Sequence, residues 1–108
     1  MIIEYKEAEE TWKTISQAVE QARETFLQME AGKKPLFADL VLKASAKTIK
    51  EREYLAFASE EWGIHSDALV ISEHEFYKQQ LRLEIIKKRI DFLYLELKMN
   101  HDREKRPG

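Results

Sequence analysis

Residues 60–101 read EEWGIHSDALVISEHEFYKQQLRLEIIKKRIDFLYLELKMNH. Within this stretch Trp62, Leu69, Phe76, Leu83, Ile90 and Leu97 recur every seven residues. Seven residues are close to two turns of α-helix, so these side chains fall on one stripe. Ile86 and Leu93 supply the companion seam positions in the C-terminal half, while His65, Ser72 and Gln79 hold them in the N-terminal half. A heptad seam of this length marks a helix packed along its whole length against another helix. The expected span is 60–101, about 60 Å at 1.5 Å per residue. Gly63 lies in the first turn, where its cost is small; if it breaks the helix, the start moves to Ser66 and Asp67.

The partner helix lies at the other end of the chain. Tyr5, Ala8, Trp12, Ile15, Val19, Ala22, Phe26 and Met29 alternate spacings of three and four, an unbroken second seam. Gly32 and Pro35 interrupt it, as a helix end or as a kink. Leu36, Leu40 and Ala44 resume the stripe at once, which favours a continuous helix over about 4–45. Thr48 followed by Glu51 has the form of a capping box and opens a short helix over about 49–58. Ser59 followed by Glu60 and Glu61 is a second helix start. The expected fold is all-α: a single helical domain over 1–101, a long antiparallel helical hairpin with a short connecting helix, coiled-coil-like in its packing. Residues 102–108 carry no apolar side chain and are expected to be a disordered tail.

Charge layout supports the hairpin. Residues 1–32 carry a net −4, residues 33–52 a net +4, residues 53–77 a net −6 and residues 78–108 a net +4. An antiparallel pairing sets opposite signs side by side; a parallel one sets like signs together. Single surface pairs contribute only ~0.2–1 kcal/mol, but their collective sign selects orientation where apolar seams are permissive.

A second apolar stripe runs along the C-terminal helix. Ile64, Ile71, Ile85, Phe92 and Met99 follow the same seven-residue spacing, interrupted by Lys78. It sits about 200° from the first stripe, nearly on the opposite side. One partner helix cannot cover both sides, and the chain has little other material to do so. The stripe is therefore a candidate interface, and a homo-oligomer is expected, most simply an antiparallel dimer.

The 108 residues are enough for one domain. Charged residues make up 35% and Gly plus Pro only five, a balance that favours helix over sheet. A net charge of −2 singles out neither nucleic acid nor membrane as partner. The absence of cysteine removes disulfide and thiolate chemistry, and a cytoplasmic location is expected. The N-terminus lacks a signal-peptide pattern, and no apolar run approaches the ~20 residues that span a bilayer.

No motif carries a reaction, so no catalytic residue, cofactor or metal is expected and the protein is read as non-enzymatic. Three isolated glycines cannot build a phosphate loop, and the repeated Glu-x-x-His pairs of a helical di-iron site do not occur. His65 reads as a partly buried polar residue that fixes register, and His74 as a surface residue among acids. Ser59 and Ser66 read as helix caps, Trp12 and Trp62 as seam residues. Lys43, Lys47, Lys50 and Arg52 form a basic cluster with Tyr54 and Phe57 nearby, a combination that can neutralise phosphates and stack on unpaired bases. The same residues also make sense as a solvated face paired with acidic neighbours, and that reading takes precedence.

The segment Lys43-Ala44-Ser45-Ala46-Lys47-Thr48-Ile49-Lys50-Glu51-Arg52-Glu53, then Ala58-Ser59-Glu60-Glu61-Trp62, resembles the middle of small helical proteins encoded by phages and prophages near recombination genes. In those a long helix is followed by a Lys-Thr and Glu-Arg-Glu segment, a short helix and a second long helix. The aromatic-Arg signature of their C-terminal end is absent, and Phe92-Leu93-Tyr94 occupies that region. The resemblance implies an accessory role in DNA recombination or repair, with single-stranded DNA or a recombination protein as partner; it transfers no catalytic residue. The alternative is a protein-protein adaptor, chaperone or inhibitor that acts through the exposed apolar face without nucleic acid.

Overall fold

The computed structural model describes residues 2–105, and the side chains of residues 2–104. Three helices and no strand form among the described residues: α1 is Ile2–Lys43, α2 is Ile49–Phe57 and α3 is Glu60–Lys105. The fold is all-α, two long helices joined through a short one in a coiled-coil-like hairpin.

Helix α1 runs through both Gly32 and Pro35. Proline removes one backbone hydrogen bond and crowds the carbonyl four residues back. The helix continues because burial resumes immediately beyond it: Leu36 and Phe37 are half-buried and Leu40 is buried. It stops at Lys43, where the Ala44 N–H turns back to the Val41 carbonyl at 3.3 Å. The caps expected at Thr48 and Ser59 form; Ser66, also read as a cap, instead lies inside α3, because the helix starts six residues earlier at Glu60. Thr48 is extended at φ −111° and its hydroxyl accepts from the Glu51 N–H at 3.2 Å. Ser59 works on two helices: its Oγ donates to the Ala56 carbonyl at 2.7 Å and accepts from the Trp62 N–H at 3.2 Å. Gly63 stays inside α3, so the helix starts at Glu60 and not at Ser66.

Helix α3 also continues past residue 101 to Lys105, which corrects the expected tail: residues 102–105 are helical, and residues 106–108 lie outside the described residues. Arg, Glu and Lys are good helix formers, and the next breaker is Pro107. A helix end needs no apolar residue of its own when the turns before it are anchored.

Contacts divide the chain into two compact units, Met1–Gln21 with Tyr77–Gly108, and Ala22–Phe76. In the first, Ala8, Ile15, Ile86 and Leu93 form a buried core, with Tyr5, Val19, Leu83 and Ile90 packed against it. Every one of these is a seam residue, and the Tyr5 hydroxyl lies in the field of Asp91 and Tyr94. An early α1 residue therefore meets late α3 residues, as an antiparallel pair requires. In the second unit the Phe26 and Phe76 ring centroids are 6.0 Å apart, His65 Nε2 donates to the Met29 carbonyl at 3.0 Å, and the Phe37 ring lies 5.3 Å from Trp62. Partner numbers fall as α1 numbers rise, which is again antiparallel.

The polar seam residues are accommodated by hydrogen bonds. Ser72 is buried and its hydroxyl donates to the Leu69 carbonyl at 2.8 Å. Gln79 is buried and its carbonyl accepts from Arg82 Nη1 at 3.2 Å. His65 lies 3.6 Å from where a Cβ on Gly32 would sit.

Candidate interaction surfaces

The outward face of α3 is the first candidate. In the unit built from the two ends of the chain, Ile85 is 60% exposed, Phe92 60% and Met99 49%. Leu81 and Leu95, at 58% and 53%, lie on the same face. Leu81, Ile85, Lys88, Phe92, Leu95 and Met99 are spaced four, three, four, three and four, which is a second heptad seam on the side of α3 turned away from α1. Sequence reasoning found only half of it, the row Ile85, Phe92 and Met99, and not the parallel row Leu81, Lys88 and Leu95. The alternating spacing would have disclosed Leu81 and Leu95 as well. On the α1 side of the same unit the outward positions are mostly charged or polar, with Ile2 and Ile3 exposed at its start.

In the other unit the two remaining stripe residues, Ile64 and Ile71, are 62% and 69% exposed. Asp67 and His74 hold the companion positions there, so no continuous apolar seam forms in that part of α3. The five stripe residues thus share exposure, but only Ile85, Phe92 and Met99 belong to a complete seam.

The basic cluster on α2 and its approach is the second candidate. Lys43 donates to Asp39 Oδ2 at 2.8 Å, a bond that raises the ammonium pKa above its usual value, with the Asp39 charge adding to it. Arg52 is half-buried and its Nε donates to the Ala46 carbonyl at 2.8 Å, so it holds the turn between α1 and α2 closed. Lys47 and Lys50 are exposed and border a groove of about 630 Å³ with Glu51, Tyr54 and Leu55. Of the four cluster residues, two have local partners and two face this groove.

Sequence reasoning missed an aromatic cluster. The Phe37 and Phe57 rings lie 4.5 Å apart, and Phe57 and Trp62 lie 5.7 Å apart at 82°. They close the contact between α2 and the long helices of that unit, beside a groove of about 400 Å³ bordered by Lys33 and Lys34. Phe57 is the α2 contribution, and its pairing with Phe37 across twenty residues has no periodic signal.

Among the described residues no group of three or more His, Cys, Asp or Glu side chains is placed to hold a metal ion. No helix among them is long and apolar enough to cross a membrane.

No family model, curated protein or solved structure matches the chain. The functional reading therefore rests on the surfaces just described.

Proposed function

We propose that this protein is a non-enzymatic interaction module that associates through the outward face of α3. The observation that carries this reading is the exposed seam of Leu81, Ile85, Phe92, Leu95 and Met99. Isolated exposed apolar residues are ordinary on protein surfaces, but a contiguous row in heptad order is the form taken by helix-pairing surfaces. Light scattering tests it. The wild-type chain should give a mass above that of one chain, and Ile85→Lys with Phe92→Lys should reduce it to one chain with helicity unchanged by circular dichroism. A mass that does not change between the two would overturn the reading.

A second reading, single-stranded DNA binding, is supported by the groove that sets exposed Lys47 and Lys50 beside Tyr54, which is 72% exposed. Phosphate neutralisation with base stacking needs this pairing of cation and ring. On this reading the protein is the recombination accessory that the resemblance implies. It predicts a salt-sensitive mobility shift of a single-stranded oligonucleotide that is lost in Lys47→Glu with Lys50→Glu. Unchanged mobility at micromolar protein and low salt would exclude it.

A further inference from the structure

We infer that the outward face of α3 is covered by the same face of a second copy, antiparallel, with the two-fold axis beside residue 90. This inference rests on the proposed function and names the occupant of the surface. It concerns only the unit formed by the two chain ends, and it stands on how the seam and its flanking charges match themselves.

Centring the pair there sets Leu81 against Met99 of the partner copy, Ile85 against Leu95, and Lys88 against Phe92, each layer occurring twice by symmetry. The apolar layers mate large with large. The one polar layer places an ammonium on a long aliphatic stem over an aromatic face, a pairing that Lys accepts. The next layer outward sets Lys78 against Asp102, opposite in charge.

The edges agree with the core. Positions flanking an antiparallel seam face their own equivalents across it. Here Arg82 faces Glu96 and Glu84 faces Lys98, both opposite in charge. Arg82 uses one donor on Gln79 and has four more for the partner carboxylate. Only at the axis do like charges meet, Arg89 with Arg89 and Asp91 with Asp91. A parallel pairing fares worse at every level. It sets Lys88 against Lys88 and Lys78 against Lys78 in the core, Asp91 against Glu96 and Lys98 against Arg103 on the edges, and retains only Glu84 with Arg89 as an attractive pair. Charge therefore selects the antiparallel arrangement over the parallel one.

Two measurements on the full chain test this. The sequence has no cysteine, so introduced thiols report without interference. A mixture of Leu81→Cys and Met99→Cys chains should oxidise to the mixed disulfide, and Leu81→Cys alone should not cross-link to itself. Separately, Arg82→Glu should weaken association about tenfold, because two edge pairs turn repulsive. Adding Glu96→Arg in the same chain should restore it to within about twofold. The two positions lie fourteen residues apart on one helix, too far to meet within a chain, so a rescue reports contact between copies. A self-cross-link of Leu81→Cys, or a double variant as weak as the single one, would overturn the register while leaving association through α3 standing. A wild-type chain that stays single at hundred-micromolar concentration would overturn both.

Discussion

Single side chains set how well the long helices tolerate what sits inside them. Ser16 is a half-buried residue on α1 whose Oγ is shielded from solvent and has no hydrogen-bond partner among the described residues. Removing an unpaired buried hydroxyl recovers its desolvation cost, and alanine is the better helix former. Ser16→Ala should therefore raise stability by about 1 kcal/mol in urea unfolding. Gly32 stands inside α1, eleven residues before its end at Lys43, and an added Cβ would meet His65 Cε1 at 3.6 Å, an ordinary contact. Gly32→Ala should stabilise by roughly 0.5–1 kcal/mol, read by the same unfolding assay. Tyr5 titrates above its usual value because neighbouring groups desolvate it and because the Glu9 carboxylate, hydrogen-bonded to it, opposes a second negative charge. Its folded pKa exceeds the unfolded one, so its contribution is complete below pH 10 and disappears as pH rises through the folded value. Stability should fall more gently above pH 10 in Tyr5→Phe than in wild type, measured by denaturant midpoint against pH.

Elements were legible in proportion to how periodic they are. The heptads of α1 and α3 disclosed both long helices and their shared seam, because a repeat over many turns leaves no competing pattern, and the alternating charge blocks disclosed the antiparallel pairing. Residues that terminate helices were legible too: Thr48 and Ser59 cap where their hydroxyls and the following carboxylates predicted. What stayed hidden was contact between elements with unrelated registers, such as Phe57 against Phe37, and the row Leu81, Lys88 and Leu95 of the outward α3 seam, whose middle position is charged. The absence of apolar residues beyond Asn100 does not end α3, because helix propensity carries it to Lys105. In the basic cluster, the residue types were legible but their engagements were not: nothing in spacing foretold that Arg52 would hold the Ala46 carbonyl. The short helix α2 depends most on its ends, since nine residues are too few to be stable alone. Ser59 joins its C-terminus to the start of α3 through two hydrogen bonds. Ser59→Ala removes both, and should cost about 1 kcal/mol and increase amide exchange first in α2 and the opening turn of α3. Ser59→Asp should retain the bond from the Trp62 N–H and recover most of that loss.

At the scale of the whole molecule, folding and assembly should be one linked equilibrium. A chain that buries only a narrow seam of its own has a small core: the buried apolar residues among those described are Ala8, Ile15, Leu40, Ala56, Ile86 and Leu93. Each extra row covered by another copy adds to that core at the expense of the unfolded state, to which no copy binds. Stability should then depend on protein concentration. For a dimer that unfolds to two separate chains, each tenfold rise in concentration favours the folded state by about 1.4 kcal/mol per dimer. The melting temperature should climb steadily from micromolar to hundred-micromolar chain in thermal scans. In Ile85→Lys with Phe92→Lys the outward seam is interrupted at its centre, while the residues facing α1 are untouched. That variant should melt at one temperature throughout the range, at or below the most dilute wild-type value. A wild-type melting temperature equally indifferent to concentration would mean that the narrow intrachain seam suffices, and that the exposed row on α3 contributes nothing to folding.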